Sequence, residues 1–376
     1  MLARSVKEKS NSLGRAASPF RLKSRDVSCD FARTRGLFLR LPSRLLPSIV
    51  LVLGLVFAGT APAQPTTLKA YRYGATYYVA VNDVANYYGL GPDARGAVNR
   101  AEYRTSSAQL ELEADSRDIL LNGVKHWLSA PVLAMRGKLW IAEIDVLKTL
   151  DPVLQPGRLQ KPGASVRTIV LDPGHGGGDR GTRGRSSFEK VMTLDVAKRV
   201  ERDLAGSGLR VFLTRTTDTT VALEDRVQFA QAKGADLYIS IHFNSGGGSA
   251  EGIETYCTPP AGASSTASFS GNRVDRDTGG RDSTAVANNR FDDQNVWLAH
   301  CVQKSLLQAK RAMDRGVRRA RFYVLRYATC PSILIEAGFL SNPAEEQRIL
   351  RSDYRELLAK NIADGILTYK KALERP

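Results

Sequence analysis

The stretch TIVLDPGHGGGDRGTRG, which runs from Thr168 to Gly184, decides the fold of this chain. Its first five residues read as a buried strand that leads directly into a glycine-rich loop containing His175, one of only four histidines in the chain. A strand without polar alternation indicates burial on both faces, as in a parallel sheet that helices cover. Ligands of such sheets bind beyond the carboxyl ends of the strands, so His175 stands where a ligand is expected.

The segments that follow this loop alternate between strand-like and helix-like patterns. Strands are predicted at RTIVLD, LRVFLTR, ADLYISIHFN, EGIETYC, FYVLR and PSILIEAGF. Helices are predicted at EKVMTLDVAKRVERDLAGSG, ALEDRVQFAQAKG, NVWLAHCVQKSLLQAKRAM, PAEEQRILRS and YRELLAKNIADGILTYKKAL. This order predicts an α/β fold for residues 167–372, with a mainly parallel sheet and helices on both faces.

Residues 65–150 predict a small α+β domain ahead of that sheet. Two segments, YVAVNDVANYYGL and WIAEIDVLKTLDP, each read as a strand that enters a short helix, and a β-meander with turns at Asn122-Gly123 and Arg136-Gly137 lies between them. The doubled pattern resembles the small N-terminal domain of copper amine oxidases. We expect this domain to position or target the protein, because it holds no cluster of catalytic side chains, and we interpret its lone His126 as a surface or turn residue.

The positive charge of the chain is concentrated near its start. The formal net charge is +16, and residues 1–44 carry eleven Lys and Arg against three Asp and Glu, which is half of the excess. The remainder is only mildly basic, so no nucleic-acid partner is expected. A mild positive balance suits an anionic wall polymer or a membrane surface.

Residues 1–63 read as a basic segment followed by a secretory signal, LLPSIVLVLGLVFAGTAPAQ. The apolar run is short for a membrane-spanning helix, and Ala61-Pro62-Ala63 has the small-residue pattern of a cleavage site. We expect export with Gln64 as the first mature residue; retention of the segment as an anchor is the alternative. Contact with the membrane is expected only through this segment.

Two polar stretches divide the rest of the chain. Residues 151–166 contain a Pro- and Gly-rich linker, and residues 258–295 form an insertion rich in Ser, Gly, Asn and Asp that predicts a mobile loop or a lid. The chain has four cysteines, of which Cys29 would be removed with the signal. The other three, Cys257, Cys301 and Cys330, are widely spaced and form no CxxC pair, which favours small buried hydrophobic residues over a disulfide framework or a zinc-thiolate site, although one bridge among them is possible.

Four polar side chains are placed where strands end or a helix begins. His175 and His242 follow strands, Glu189 opens a helix, and Glu336 ends the apolar run Ile333–Ile335. A histidine at a strand end is often only hydrogen-bonded, and a helix-opening Glu often only complements the helix dipole. An acid such as Glu336 is costly to bury unless it is paired or bound. Two His and one carboxylate with an open fourth position are the ligand set of a catalytic zinc site.

Several motifs occur in series: LDPGHGG, FEKVMTLDVA, TRTTDTTVALEDR, DLYISIHFN, DRGVRRARFYVLR and PSILIEAGFLSN. They resemble the consecutive motifs of the zinc-dependent N-acetylmuramoyl-L-alanine amidases, a family of bacterial cell-wall hydrolases with a phosphorylase/hydrolase-like fold. The resemblance implies that His175, Glu189 and His242 bind one Zn²⁺ ion. It also implies that Glu336 is the catalytic carboxylate.

The same resemblance implies a substrate and a location. The substrate is peptidoglycan, in which the amide between the lactyl group of N-acetylmuramic acid and L-alanine is cut during wall remodelling or daughter-cell separation. Export to the periplasm or cell envelope is expected, an activator protein is an open partner, and Arg226, in LEDR, matches a family arginine for which we expect a structural role. The alternatives are a non-catalytic peptidoglycan-binding module and a zinc peptidase of other specificity, which product analysis separates from an amidase.

Overall fold

The fold is taken from a computed structural model that describes residues 23–24, 67–91, 99–159, 165–266, 284–309 and 312–374. The predicted basic segment and signal, residues 1–63, lie outside the described residues except for the pair at 23–24. Residues 160–164 of the predicted linker and 267–283 of the predicted insertion also lie outside them. The expectation of a mobile loop or lid at residues 258–295 therefore falls in part on residues that the structure does not describe.

The strands are bounded as follows: β1 Lys23–Ser24, β2 Lys69–Tyr73, β3 Thr76–Ala80, β4 Arg100–Arg104, β5 Gln109–Glu113, β6 Asp118–Leu121, β7 Val124–Trp127, β8 Leu133–Met135, β9 Lys138–Ala142, β10 Thr168–Pro173, β11 Arg210–Leu213, β12 Leu237–Asn244, β13 Ile253–Cys257, β14 Asp314–Arg319 and β15 Ser332–Phe339.

The helices are α1 Val81–Tyr87, α2 Glu143–Asp145, α3 Asp151–Leu154, α4 Glu189–Asp203, α5 Leu223–Ala232, α6 Asp292–Leu306, α7 Tyr323–Tyr327, α8 Pro343–Leu350 and α9 Ser352–Leu373. A π-helical turn at Val146–Leu150 joins α2 to α3, and 3₁₀ turns lie at Pro156–Leu159 and Ala287–Phe291. Within the described ranges, no helix has both the length and the apolar character needed to cross a bilayer.

The larger sheet has the strand order β11-β10-β12-β15-β13-β14-β7-β6-β5-β4. Its first four strands are parallel, and β13 pairs antiparallel with β15. One apolar layer packs α4, α6 and α9 against a face that includes Ile169 and Ile239, and another packs α5 and α7 against the opposite face, which includes Val170 and Tyr238. The prediction of a mainly parallel sheet with helices on both faces is confirmed.

The prediction was wrong for FYVLR. Tyr323–Tyr327 forms α7, whose Val324 and Leu325 are buried, and the strand of this region is β14 instead. A short apolar run cannot be assigned to helix or strand by its period alone. The strand β14 was not predicted because its buried residues include Arg318 and Arg319, both only 3% exposed. Charged residues do not normally indicate a buried strand.

The ends of the polar insertion are packed. Thr258, Ser265 and Thr266 are buried, and the hydroxyl groups of Ser265 and Thr266 lie at hydrogen-bond distance from the backbone oxygen of Arg319. Helix α6 already begins at Asp292, inside the predicted insertion. The described cysteines, Cys257, Cys301 and Cys330, are free and buried, as predicted.

The part of the chain described from residue 67 to residue 150, here called the N-terminal unit, contributes to two sheets. The smaller sheet has the order β1-β2-β3-β9-β8, whereas β4 to β7 continue the larger sheet. The junction is a parallel pairing of β7 with β14, in which His126 lies opposite Val317. The N-terminal unit is therefore joined to the rest of the molecule by backbone pairing.

His126 was wrongly interpreted as a surface or turn residue. It lies in β7, is 1% exposed, and its Nε2 lies 3.0 Å from Nδ1 of His300 in α6. The imidazole of His300 also stacks on the indole of Trp297, with ring centroids 5.4 Å apart. The sequence could not reveal this pair because its two members are far apart along the chain.

The buried imidazole pair should make stability depend on pH. Burial, followed by the charge of Lys304, lowers the pKa of His300 to about 3, and burial lowers the pKa of His126 well below its ordinary value. Both rings are thus neutral in the fold, while the unfolded chain takes up protons near pH ~6.5. The neutral imidazole pair therefore contributes its full stabilisation to the fold above that pH. This contribution decreases as the pH falls toward the pKa values that the two rings have in the folded protein.

We expect the free energy of unfolding, measured by denaturant titration, to fall between about pH 7 and pH 5. The decrease should be smaller in His300→Phe, which keeps a ring against Trp297 but cannot be protonated. Equal decreases in the two proteins would contradict this account of the pair.

Candidate metal centre

Three side chains from separate elements meet at the carboxyl edge of the parallel strands. His175 lies in the loop after β10, Glu189 is the first residue of α4, and His242 lies near the end of β12. Their candidate ligand atoms all lie within 4.8 Å of one another. The structure therefore brings together the three residues that the sequence nominated as metal ligands.

The carboxylate of Glu189 lies between the two imidazoles. Its Oε2 is 3.1 Å from Nε2 of His175, and its Oε1 is 2.9 Å from Nδ1 of His242. The backbone N–H groups of Thr182 and Phe243 donate to the same two oxygens over 2.7 and 3.0 Å. Because Glu189 is only 3% exposed, these contacts fix a buried charge in one orientation.

The backbone at His175 is strained. Its φ angle is +61°, a left-handed conformation that residues other than glycine rarely adopt. Strain of this kind persists where neighbouring contacts hold it, and it concentrates at functional sites. Here the Nη2 group of Arg226 donates to the backbone oxygen of His175 over 2.8 Å. Oδ2 of Asp179 lies 2.8 Å from Nδ1 of the His175 imidazole. A carboxylate on the second ring nitrogen is the usual way in which a metal-binding histidine is oriented.

A buried ion pair anchors this loop to the sheet. Nη1 of Arg226 donates to Oδ1 of Asp172 over 2.6 Å and to the backbone oxygen of Pro173 over 3.0 Å. Asp172 is 1% exposed, and it also accepts hydrogen bonds from the hydroxyl groups of Thr214, Tyr238 and Ser240. Burial alone would raise the pKa of Asp172, but the charge of Arg226 and these hydrogen bonds hold it below its ordinary value. The contacts of Arg226 are with carboxylate and backbone, as expected of a structural residue.

Glu336 lies beside the three clustered residues, in the middle of β15, which continues three residues further to Phe339. It is opposite His242 of β12 on one side and opposite Glu254 of β13 on the other. Glu336 is 8% exposed, and its buried Oε2 has no hydrogen-bond partner among the described residues. Burial, followed by the charges of Glu189 and Glu254, raises its pKa well above the ordinary value for a glutamate. A carboxyl group in such surroundings is suited to accepting and returning a proton.

The acidic groups around His175 stabilise positive charge at this point, and a divalent cation bound there would supply that charge in place of a proton. Burial lowers the pKa of His175, but the hydrogen bonds and charges of Glu189 and Asp179 raise it more, to about 9. Burial raises the pKa of Glu189, yet contacts with both imidazoles hold it far below its ordinary value. Two nitrogen donors and one ionised carboxylate form the donor set that zinc favours, and the unpartnered Oε2 of Glu336 lies next to that set.

Sequence reasoning missed Glu254 and the two arginines that face it. Arg315 Nε lies 3.1 Å and Arg318 Nε 2.8 Å from Oε2 of Glu254, which is fully buried. The signal was present in EGIETYC, where an acid stands within a buried strand as Glu336 does. It was not followed because no resemblance implied a role for that residue.

Comparison with known proteins decides the family. The model of the family described as N-acetylmuramoyl-L-alanine amidase matches residues 169–368, just over half of the chain. The chain belongs to this amidase family. The matched range contains the three clustered residues, His175, Glu189 and His242, and also Glu336 beside them.

Two amidases are similar to this chain over more than half of its length. The amidase LytC of Bacillus subtilis (strain 168) is 34% identical over 203 residues, which are 54% of this chain and 35% of LytC. The amidase AmiA of Escherichia coli (strain K12) is 34% identical over 245 residues, covering 61% of this chain and 84% of AmiA. The chain thus spans about a third of the length of LytC but most of AmiA.

Among solved structures, the catalytic domain of CwlV, an N-acetylmuramoyl-L-alanine amidase from Bacillus (Paenibacillus) polymyxa var. colistinus, is 32% identical, with a TM-score of 0.45. The match covers 55% of this chain and 99% of that domain.

The ion pair that anchors the glycine-rich loop yields a stability prediction. Asp172→Asn leaves the guanidinium of Arg226 buried without its counter-charge, which should lower the free energy of unfolding by about 3–5 kcal/mol. As a control, Glu356→Gln removes a carboxylate that pairs with Arg199 and Arg202 at the surface, and its effect should be small.

Urea or guanidinium unfolding of the two variants beside the unaltered amidase provides the measurement. If Asp172→Asn cost no more than Glu356→Gln, the ion pair would not anchor the loop.

Proposed function

We propose that the protein is an exported, zinc-dependent N-acetylmuramoyl-L-alanine amidase of the cell envelope. It hydrolyses the amide bond between the lactyl group of N-acetylmuramic acid and L-alanine in peptidoglycan, during wall remodelling or daughter-cell separation. The observation that supports this most is the meeting of His175, Glu189 and His242 beside the unpartnered carboxyl oxygen of Glu336. Family membership supplies the substrate class.

In this proposal, His175, Glu189 and His242 hold one zinc ion. A bound zinc ion supplies a Lewis acid that acidifies a water molecule and polarises the amide carbonyl. Asp179 orients the imidazole of His175, and Arg226 holds the backbone of the same residue in its strained conformation. The other contacts of the Glu189 carboxylate are with backbone N–H groups, which keep it from rotating away.

Glu336 moves the proton. Its carboxylate accepts a proton from water as the water oxygen attacks the lactyl carbonyl carbon, and it returns that proton to the amine of L-alanine as the carbon–nitrogen bond breaks. The products are a free lactyl carboxylate and a peptide with an N-terminal L-alanine. Glu336 is only 8% exposed, so its carboxylate has little contact with bulk water.

Export and an external role fit the other features of the chain. The small-residue pattern at Ala61-Pro62-Ala63 after an apolar run supports a cleaved signal, and peptidoglycan lies outside the cytoplasmic membrane. The pattern of the N-terminal unit supports a positioning or targeting domain like that of copper amine oxidases. An activator protein fits as an additional partner.

The decisive experiment digests purified peptidoglycan with the exported chain and identifies the products by mass. Digestion should release stem peptides with a free N-terminal L-alanine and leave glycan with a free lactyl carboxylate. A chelator should abolish this release, and added Zn²⁺ should restore it. Cleavage inside the stem peptide would indicate a zinc peptidase, and binding without cleavage would indicate a non-catalytic wall-binding module.

A pair of variants separates proton transfer from metal binding. Glu336→Gln should retain zinc but lose turnover by at least about 10²-fold, because the amide cannot accept the proton. Glu189→Gln should lose zinc as well as turnover, because a neutral amide replaces the anionic ligand. Metal analysis and peptide release, measured on the same preparations, test both; near-normal turnover in Glu336→Gln would contradict the role assigned to that carboxylate.

A further inference from the structure

Glu254 is a buried carboxylate that hydrolysis does not use. It lies in β13, is fully buried, and its Oε1 accepts hydrogen bonds from the side chains of Asn244 over 2.6 Å and Tyr256 over 2.8 Å. Its Oε2 faces the guanidinium groups of Arg315 and Arg318. This carboxylate is thus fully enclosed by donors and positive charge.

Glu254 is also the cross-strand neighbour of Glu336 in the pairing of β13 with β15. Side chains of directly opposed residues in an antiparallel pair lie on the same face, with Cβ atoms about 4.5–5.5 Å apart. The Oε2 atom of Glu336 has no hydrogen-bond partner among the described residues, so its orientation depends on what surrounds it. Arg315 donates a hydrogen bond to Oε2 of Glu254, and the charge of Arg318 lies 2.8 Å from the same oxygen, so the negative charge of Glu254 is compensated next to Glu336.

The N-terminal unit holds one of these arginines in place. The guanidinium of Arg318 lies over the indole ring of Trp127, the last residue of β7, at 4.0 Å from the ring centroid. Arg318 is 3% exposed, so this contact between cation and ring is largely desolvated, the condition in which such contacts are strongest. The indole Nε1–H of Trp127 donates to the backbone oxygen of Arg315 over 2.9 Å. Trp127 therefore contacts both arginines that face Glu254.

The backbone at this junction is fitted to a close approach. Gly316, between the two arginines, has a φ angle of +93°, and a Cβ atom there would lie 2.7 Å from the backbone oxygen of Lys125 in β7. The backbone N–H of Lys125 donates to Oδ2 of Asp314 over 2.7 Å. Glycine allows β7 to approach β14 closely, which places the Trp127 ring against Arg318.

We propose that the N-terminal unit completes the catalytic site: Trp127 holds Arg318 on Glu254 and thereby positions the carboxylate of Glu336. Trp127 and Glu254 are positioning residues, since neither touches the reacting atoms. The inference rests on the proposed amidase function and adds to it a role for a unit otherwise expected only to target the protein. Release of Arg318 leaves the negative charge of Glu254 less compensated beside Glu336, and repulsion between the two carboxylates then displaces the oxygen that must receive the proton.

The kinetic test uses two substitutions at one position of the full exported chain. Trp127→Leu keeps an apolar side chain at the junction but removes the aromatic face, and we expect kcat to fall about tenfold or more with KM and zinc content unchanged. Trp127→Phe restores a ring for Arg318 and should recover most of kcat. The matched control is Trp140→Leu in β9 of the same unit, whose indole donates to the backbone oxygen of Met135 and which should leave kcat unchanged.

A second measurement does not depend on activity. The indole N–H resonances of Trp127, Trp140 and Trp297 can be observed by NMR in the isotope-labelled chain. Glu254→Gln removes the charge that holds Arg315 and Arg318, so the Trp127 signal should shift while the Trp140 signal stays in place.

The outcomes separate this inference from the function on which it rests. If the unaltered chain released no peptide with an N-terminal L-alanine, the proposed function would fail and this inference with it. If the unaltered chain is active, a normal kcat in Trp127→Leu would overturn the inference alone. Loss of zinc or of cooperative unfolding in Trp127→Leu, or an unmoved Trp127 signal in Glu254→Gln, would show that the junction is only structural and would also overturn it.

Discussion

The Glu189 carboxylate, held between two imidazoles at the carboxyl edge of the sheet, is the constraint on which the rest of the site depends. A buried carboxylate is costly unless charge and hydrogen bonds surround it, and here two rings and two backbone N–H groups do so. Those contacts require the glycine-rich loop to fold back over α4, and this brings His175 into a strained backbone conformation. Arg226 and Asp172 hold that loop against the sheet.

A second buried network extends from the first across the sheet. Glu336 is a neighbour of His242 on one side and of Glu254 on the other, and Glu254 leads through Arg318 to Trp127 of the N-terminal unit. The backbone pairing of β7 with β14 joins β4 to β7 of the N-terminal unit to the larger sheet. In the proposed mechanism, the position of the Glu336 carboxylate therefore depends on Trp127, which lies outside the range 169–368 that the amidase family model matches.

The sequence predicted those site residues that follow an apolar strand or open a helix. His175, His242 and Glu336 could be nominated because each stands at the end of an apolar run, and apolar runs of this kind predict parallel strands. Arg318 and His126 could not be interpreted in the same way, because their burial depends on partners from distant segments. The strand β14 was missed for that reason. Its Arg318 can be buried because the carboxylate of Glu254 and the ring of Trp127, which come from other strands, lie against it. The helix α7 was missed because a short apolar run fits either period.

The most direct test of the central claim is anomalous diffraction at the zinc absorption edge from crystals of the protein grown with zinc. The account predicts one anomalous peak, at about 2.0–2.2 Å from nitrogen atoms of His175 and His242 and from a carboxylate oxygen of Glu189. A zinc-loaded crystal with no peak there, or with the two imidazoles turned away from each other, would contradict it.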